Sequence, residues 1–184
     1  MRVDDLHTGR LDLRALDAAD LGALAAADGE TLSKRTGVRF ARPVAPPPLF
    51  GDELPYYARR LRRHPDELGW WAWLISLRET AEAVGVAGLG GGPDAEGVFS
   101  IGYSVYEPHQ GNGYATEAMR KLLEWAFLHP AARVARATIP PSNAASIRVA
   151  RNLGMTLSGS AVSKDVGHVL VFEVVGSPRS SATG

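Results

Sequence analysis

The chain contains no cysteine. Disulfides, thiolate metal sites and a cysteine nucleophile are therefore excluded, and a reducing compartment suits it. An excess of charge of one sign is missing too, since 20 Lys and Arg stand against 20 Asp and Glu. No overall field draws the chain to nucleic acid or to an anionic membrane, and neither is expected as a partner. No apolar run approaches the roughly 18 residues that a spanning helix requires. The start, Met1-Arg2-Val3-Asp4-Asp5, lacks the apolar core of a signal peptide. His7, His64 and His129 are scattered, with no pair spaced for a metal. These absences lead us to expect a soluble, cytoplasmic protein with no metal centre.

What is present is ordinary globular material: 184 residues, 45% hydrophobic and 22% charged. That length suffices for one domain with a full core. We expect a single domain over residues 1–175 and a disordered tail over 176–184, where Ser177-Pro178-Arg179-Ser180-Ser181 offers nothing to bury. The basic cluster Arg59-Arg60-Leu61-Arg62-Arg63-His64 reads as the solvated face and end of a helix.

The most informative stretch is Gln110-Gly111-Asn112-Gly113-Tyr114-Ala115-Thr116-Glu117-Ala118. A strand-like run, Val98 to Tyr106, leads into it, and a periodic helix from Ala115 to about Leu128 leads out. Glycines two apart let the backbone turn and expose its N–H groups, and the helix start adds unpaired donors and a positive dipole end. The combination suits a phosphate or diphosphate. The chain has no G-x-x-x-x-G-K-[ST], which excludes a P-loop. The dinucleotide fingerprint G-x-G-x-x-G fails at Thr116.

Gln110-x-x-Gly113-x-Ala115 resembles the [QR]-x-x-G-x-[GA] signature of the GNAT N-acetyltransferases, and GYSVYEPHQGNGYATEAM is similar to their RimJ/RimL branch, which acetylates protein N-terminal amines. A second matching element runs from Pro141-Ser142-Asn143-Ala144-Ala145-Ser146-Ile147-Arg148 to Asn152-Leu153-Gly154-Met155. The resemblance implies a mixed α/β fold. Its central sheet is mainly antiparallel, flanked by helices, with the fourth and fifth strands parallel and splayed apart. It further implies acetyl-coenzyme A as co-substrate and a primary amine as acceptor, and it is compatible with a homodimer.

The strands and helices follow from patterning. Leu11 to Leu16 alternates as a half-buried strand, and Asp17, with Asp20 three residues on, suits a helix start. Arg42 to Leu49 is too rich in proline for helix or central strand. By resemblance, Val38 to Phe50 is a candidate specificity loop beside the acceptor. A helix from about Asp52 to Arg63 carries Leu54, Tyr57, Ala58 and Leu61 on one face. Trp70 to Leu77 reads as a strand, with Trp71, Trp73 and Ile75 on one face and Trp70, Ala72 and Leu74 on the other. Ala83 to Leu89 is the third strand and Val98 to Tyr106 the fourth, where Gly102 suggests a bulge or a close backbone approach. In the next helix Glu117 stands four before Lys121, a surface pair. Val134 to Ile139 is the fifth strand, parallel to the fourth through a helical crossover. Ser142 or Asn143 caps the following helix, and Met155 to Val162 with His168 to Val175 forms a closing hairpin.

The resemblance also distributes roles. Main-chain amides of Gly111, Asn112, Gly113, Tyr114, Ala115 and Thr116, with Gln110, hold the diphosphate, and backbone near Val105 polarises the thioester. Asn143 bonds the pantetheine arm, and Ser146 faces the sulfur as proton donor. Many family members have a glutamate in the fourth strand where this chain has Ser100. His168 matches a histidine common in the branch and is the leading base, with Gly167 in place of the usual aspartate neighbour. His109, Glu107 and a water relay stay open. The expected acceptor is a protein or peptide N-terminus. A small amine such as an aminoglycoside, and a non-catalytic acyl-coenzyme A sensor, are the alternatives.

Overall fold

A computed structural model describes residues 3–41 and 52–176. The expected specificity loop lies outside the described residues from position 42 to its end, as does the tail from 177 onward. Strands β1 (Leu6–His7), β2 (Leu11–Ala15), β3 (Ala72–Leu77), β4 (Ala83–Leu89), β5 (Val98–Val105), β6 (Val134–Ile139), β7 (Thr156–Ser163) and β8 (Gly167–Val175) form one sheet in the order β1-β2-β3-β4-β5-β6-β8-β7. Every neighbouring pair is antiparallel except β5 and β6. The helices are α1 (Ala18–Ala25), α2 (Gly29–Thr36), α3 (Leu54–Arg63), α4 (Tyr114–Ala126) and α5 (Ala144–Asn152). None is long and apolar enough to cross a membrane.

Two apolar clusters cover the two faces of the sheet. On one, Leu11, Leu13, Trp73, Ile75, Phe99 and Ile101 meet Ala118, Met119, Leu122 and Ala126 of α4 and Ala150 of α5. On the other, Ala72, Leu74 and Val86 meet Leu21 and Leu24 of α1, Leu32 of α2 and Leu54, Tyr57, Ala58 and Leu61 of α3. The i, i+3, i+4, i+7 spacing of those α3 residues is why that helix lies flat on the sheet. Trp125, near the end of α4, packs tilted against Trp70 and edge-on against Trp73, with ring centroids 5.3 Å apart in both contacts.

The structure departs from the sequence reading in three places that bear on the site. Strand β3 starts at Ala72, so alternation does not extend back through Trp70 and Trp71. Trp71 joins Ala72 and Leu74, while Trp70 packs with the cluster that holds Trp73 and Ile75. The β4–β5 register runs unbroken through Gly102, which faces Gly88 directly, so of the bulge or close backbone approach expected there, the bulge is absent from this pairing. A register shift falls instead between Ile75 and Ser76. Glu117 does not pair with Lys121; it turns toward the start of the chain, and Lys121 reaches Glu124 at 3.4 Å.

Strands β5 and β6 are paired only at Val98–Val134, Phe99–Ala135 and Ser100–Arg136. Beyond Ser100, β5 stays on β4 as far as Val105, and beyond Arg136, β6 stays on β8 as far as Ile139. The two halves of the sheet therefore part along a wedge that opens toward the C-terminal ends of both strands. Pro140, just after β6, removes a ladder donor at its mouth.

Candidate active site

The wedge has a chemically unusual edge. In the β4–β5 ladder Gly90 N–H donates to Ser100 and Tyr106 N–H to Val84, at 2.8 and 2.9 Å. An antiparallel ladder alternates, so Gly102 and Ser104 also face β4 while Tyr103 and Val105 turn their main-chain groups toward the wedge. The Val105 carbonyl is taken by Gln110 Nε2 at 3.0 Å. Unpaired amides at a strand edge are what an extended ligand with amides of its own can pair with.

At the mouth of the wedge the chain makes a short 3-10 turn, Glu107–His109, and then bends through Gly111 and Gly113, each at φ +79°. These are left-handed conformations that only glycine adopts without strain. A Cβ on Gly111 would have nothing within 4 Å, and one on Gly113 would come within 3.7 Å of Arg10 alone. Packing therefore leaves space over the bend. Gly113 is the N-cap of α4 and provides no side-chain cap, and the first intrahelical bond is Glu117 N–H to Gly113. The N–H groups of Tyr114, Ala115 and Thr116 precede it and emerge at the positive end of the helix. Asn112 Nδ2 donates to the carbonyls of His109 and Gln110 at 3.1 and 3.2 Å, drawing the loop onto itself.

From outside, the loop is gripped by Arg10, in the turn before β2. Its Nη2 donates to the Asn112 carbonyl at 3.0 Å and lies 2.6 Å from Glu117, its Nε donates to Glu117 at 2.8 Å, and its guanidinium sits 4.7 Å over the Tyr114 ring. Thr8 Oγ1 donates to the same carboxylate at 2.6 Å. Burial alone would raise the Glu117 carboxyl, but the bonds from Thr8 and Arg10 outweigh it and hold it below its ordinary value.

On the other wall, Asn143 caps α5, its Oδ1 accepting from Ser146 N–H at 3.0 Å. Of the two capping residues the sequence left open, Asn143 is the one used. Ser146 is half-buried, and its carbonyl accepts from the Tyr103 hydroxyl at 3.0 Å, a bridge from β5 to α5 that ties the two sides of the wedge. Burial pushes the Tyr103 hydroxyl up to about 12, so it stays a donor at neutral pH.

The sequence-derived residues thus fall into two groups. Val105, Gln110 to Thr116, Asn143 and Ser146 surround the wedge or its mouth. His168 does not join them by any hydrogen bond among the described residues. It is exposed at the start of β8, paired in register with Val162 and two residues past the last β6 pairing, Ile139–Leu170. It lies nonetheless at the end of the sheet where the wedge opens. His109 is engaged elsewhere, with Nε2 3.2 Å from Glu82, and Glu107 and Ser100 are exposed. Sequence reasoning missed Thr8, Arg10 and Tyr103. The first two lie more than 100 positions from the residues they hold, so no local pattern could reveal them. No group of His, Asp and Glu among the described residues is arranged to hold a metal.

The fold and the sequence both have counterparts in known proteins. The acetyltransferase (GNAT) domain model matches residues 10–156. The chain belongs to the GNAT acetyltransferase family. It is 29% identical over 153 residues to YjdG, an uncharacterized N-acetyltransferase of Bacillus subtilis (strain 168), across 83% of this chain and 90% of that protein. An acetyltransferase from Agrobacterium tumefaciens superposes with a TM-score of 0.64 at 28% identity, over 95% of each chain. RimL, a ribosomal L7/L12 α-N-protein acetyltransferase solved with coenzyme A, superposes with a TM-score of 0.65 at 20% identity, over 94% of this chain and 98% of that one. That last likeness is one of fold. This GNAT chain is accordingly an acetyltransferase, an enzyme of a fold that uses acetyl-coenzyme A as co-substrate and acetylates amines.

Proposed function

We propose that the protein binds acetyl-coenzyme A along the β5–β6 wedge and passes the acetyl group directly to the N-terminal amine of a protein or peptide, in a ternary complex. The observation that carries the coenzyme half is the meeting of an uncapped helix start with a β5 edge that, beyond Ser100, has no β6 pairing among the described residues. When bound, the thioester supplies an acetyl carbon open to attack and a thiol as leaving group. The N–H groups from Gly111 to Thr116 take the diphosphate, with Gln110 holding the loop against β5. Main-chain groups of Tyr103 and Val105 meet the pantetheine amides, and Asn143, its oxygen engaged in the cap, offers Nδ2. Backbone near Val105 also polarises the thioester carbonyl. Ser146 is the proton donor to the sulfur, and His168, directly or through water, takes the proton of the amine.

The N-terminal acceptor rests on the likeness of the two motifs to the RimJ/RimL branch and on the fold shared with RimL. Residues 1–175 are read as one such domain, working in the cytoplasm. The test is thiol release from acetyl-coenzyme A against peptides with varied N-termini, aminoglycosides and amino acids, with mass spectrometry of the products. N-terminal acetylation of peptides is expected. Modification of small amines alone would overturn the acceptor, and coenzyme binding without turnover on any amine would replace transfer with sensing. Ser146→Ala should lower turnover about tenfold, a modest share of general-acid catalysis because a hydroxyl is a weak acid, with coenzyme affinity unchanged. Equal loss in both would make Ser146 a binding residue.

A further inference from the structure

We propose that Arg10 is the positioning residue of the diphosphate loop: it fixes the direction of the Asn112 carbonyl and masks the Glu117 carboxylate. The inference rests on the coenzyme reading above. Side-chain packing does not hold the loop at its two glycines. A Cβ at Gly111 would meet nothing within 4 Å and one at Gly113 only Arg10, and glycine peptide planes rotate cheaply. The bend is therefore shaped by polar ties. Those of Gln110 to Val105 and of Asn112 to His109 and Gln110 come from the loop itself. The tie from Arg10 to the Asn112 carbonyl comes from another part of the sheet, across 102 positions. A carbonyl swung inward would present negative charge to a phosphate, and this bond keeps it turned toward the guanidinium.

Glu117 gives the second half. A carboxylate in the first turn of a helix suits the dipole but repels an anion bound at the same end. Arg10 lies against it through both Nε and Nη2, and Thr8 donates to it as well, so its charge is compensated inside the protein. Arg10 is thereby engaged three ways, by Glu117, by the Asn112 carbonyl and by the Tyr114 ring, which fixes its orientation. It acts through the loop and is assigned no contact with the coenzyme.

Such a role predicts an effect confined to ligands that carry the diphosphate. Arg10→Gln should weaken coenzyme A, read by isothermal titration, about tenfold, the size of one lost charge-assisted bond. Pantetheine, which lacks the diphosphate and is read by NMR titration, should bind the variant as it binds the wild type. Arg10→Lys keeps a charge beside Glu117 and is the variant to read should Arg10→Gln fail to fold; its expected loss for coenzyme A is about threefold. Equal weakening of both ligands, or an unchanged affinity for coenzyme A in folded variants, overturns the role of Arg10. Wild-type protein that binds no coenzyme A would instead overturn the coenzyme reading itself.

Discussion

Helices α1 and α4 each follow a strand, yet their starts are finished in opposite ways. At α1 the chain supplies its own anions. Asp17 accepts from the N–H groups of Ala19 and Asp20 at 2.8 and 2.9 Å, and Asp20 accepts in return from Asp17 N–H at 3.2 Å. Arg35 then bonds both carboxylates, at 2.8 and 2.6 Å. Burial opposes ionisation of Asp17, but the helix N–H groups and Arg35 win and lower its pKa; for the more buried Asp20, burial wins and raises it. At α4 the corresponding position is Gly113, without a side-chain cap, and the nearest acid, Glu117, is drawn aside by Arg10. A helix start closed by its own side chains contributes stability. One kept clear of them remains available to an anion that comes and goes.

The sharpest way to break this contrast is to give α4 an acid of its own. Gly113→Glu should cut affinity for coenzyme A by roughly a hundredfold, through charge repulsion and bulk at the diphosphate. Unfolding stability should fall only by the cost of a non-glycine residue at positive φ, about 1–2 kcal/mol, read in urea. Unchanged affinity in the folded variant would contradict the whole account of the loop. Next in size is Asn143→Asp at α5, an end both capped and facing the wedge. Aspartate keeps the bond from Ser146 N–H but loses the amide donor, so coenzyme affinity should drop about tenfold while stability holds. Unchanged coenzyme affinity would leave Asn143 as a cap only.

Asp17→Ala tests the closed end. It should cost about 1 kcal/mol in urea unfolding, with no change in coenzyme affinity; weakened binding would mean the two helix starts are not independent. The smallest effect is in acid. Because Glu117 is held below its ordinary 4.5, the stability it contributes is fully present above that value and is lost as pH falls through its lower folded-state pKa. Melting curves of wild type and Glu117→Gln should accordingly differ near neutrality and converge in acid. A constant gap would show that the bonds from Thr8 and Arg10 do not hold the carboxyl low in the folded protein.

Much of this contrast is legible in the amino-acid sequence because it is local. Asp17 with Asp20, and Gln110 through Thr116, announce their helix starts within a few residues, as does Asn143. The parallel pair follows from a strand, a helix and a strand in succession. What escapes such a reading is either short or distant. Strand β1 spans two residues, and α2, with only Leu32 and Thr36 buried, carries too thin an apolar stripe to stand out. Glu117 lies four residues from a lysine, so helical spacing suggests Lys121, whereas the fold brings a better-placed arginine from the other end of the sequence. The faces of Trp70 and Trp71 depend on where β3 begins, which alternation alone does not fix.

The contact of Trp125 with Trp70 and Trp73 has a practical use. Three of the four tryptophans meet where the far end of α4 rests on the sheet, remote from the glycine bend. Their emission and near-ultraviolet dichroism form a built-in gauge of whether that helix is seated. Changes made at the coenzyme end can thus be judged against an optical signal that those changes do not touch.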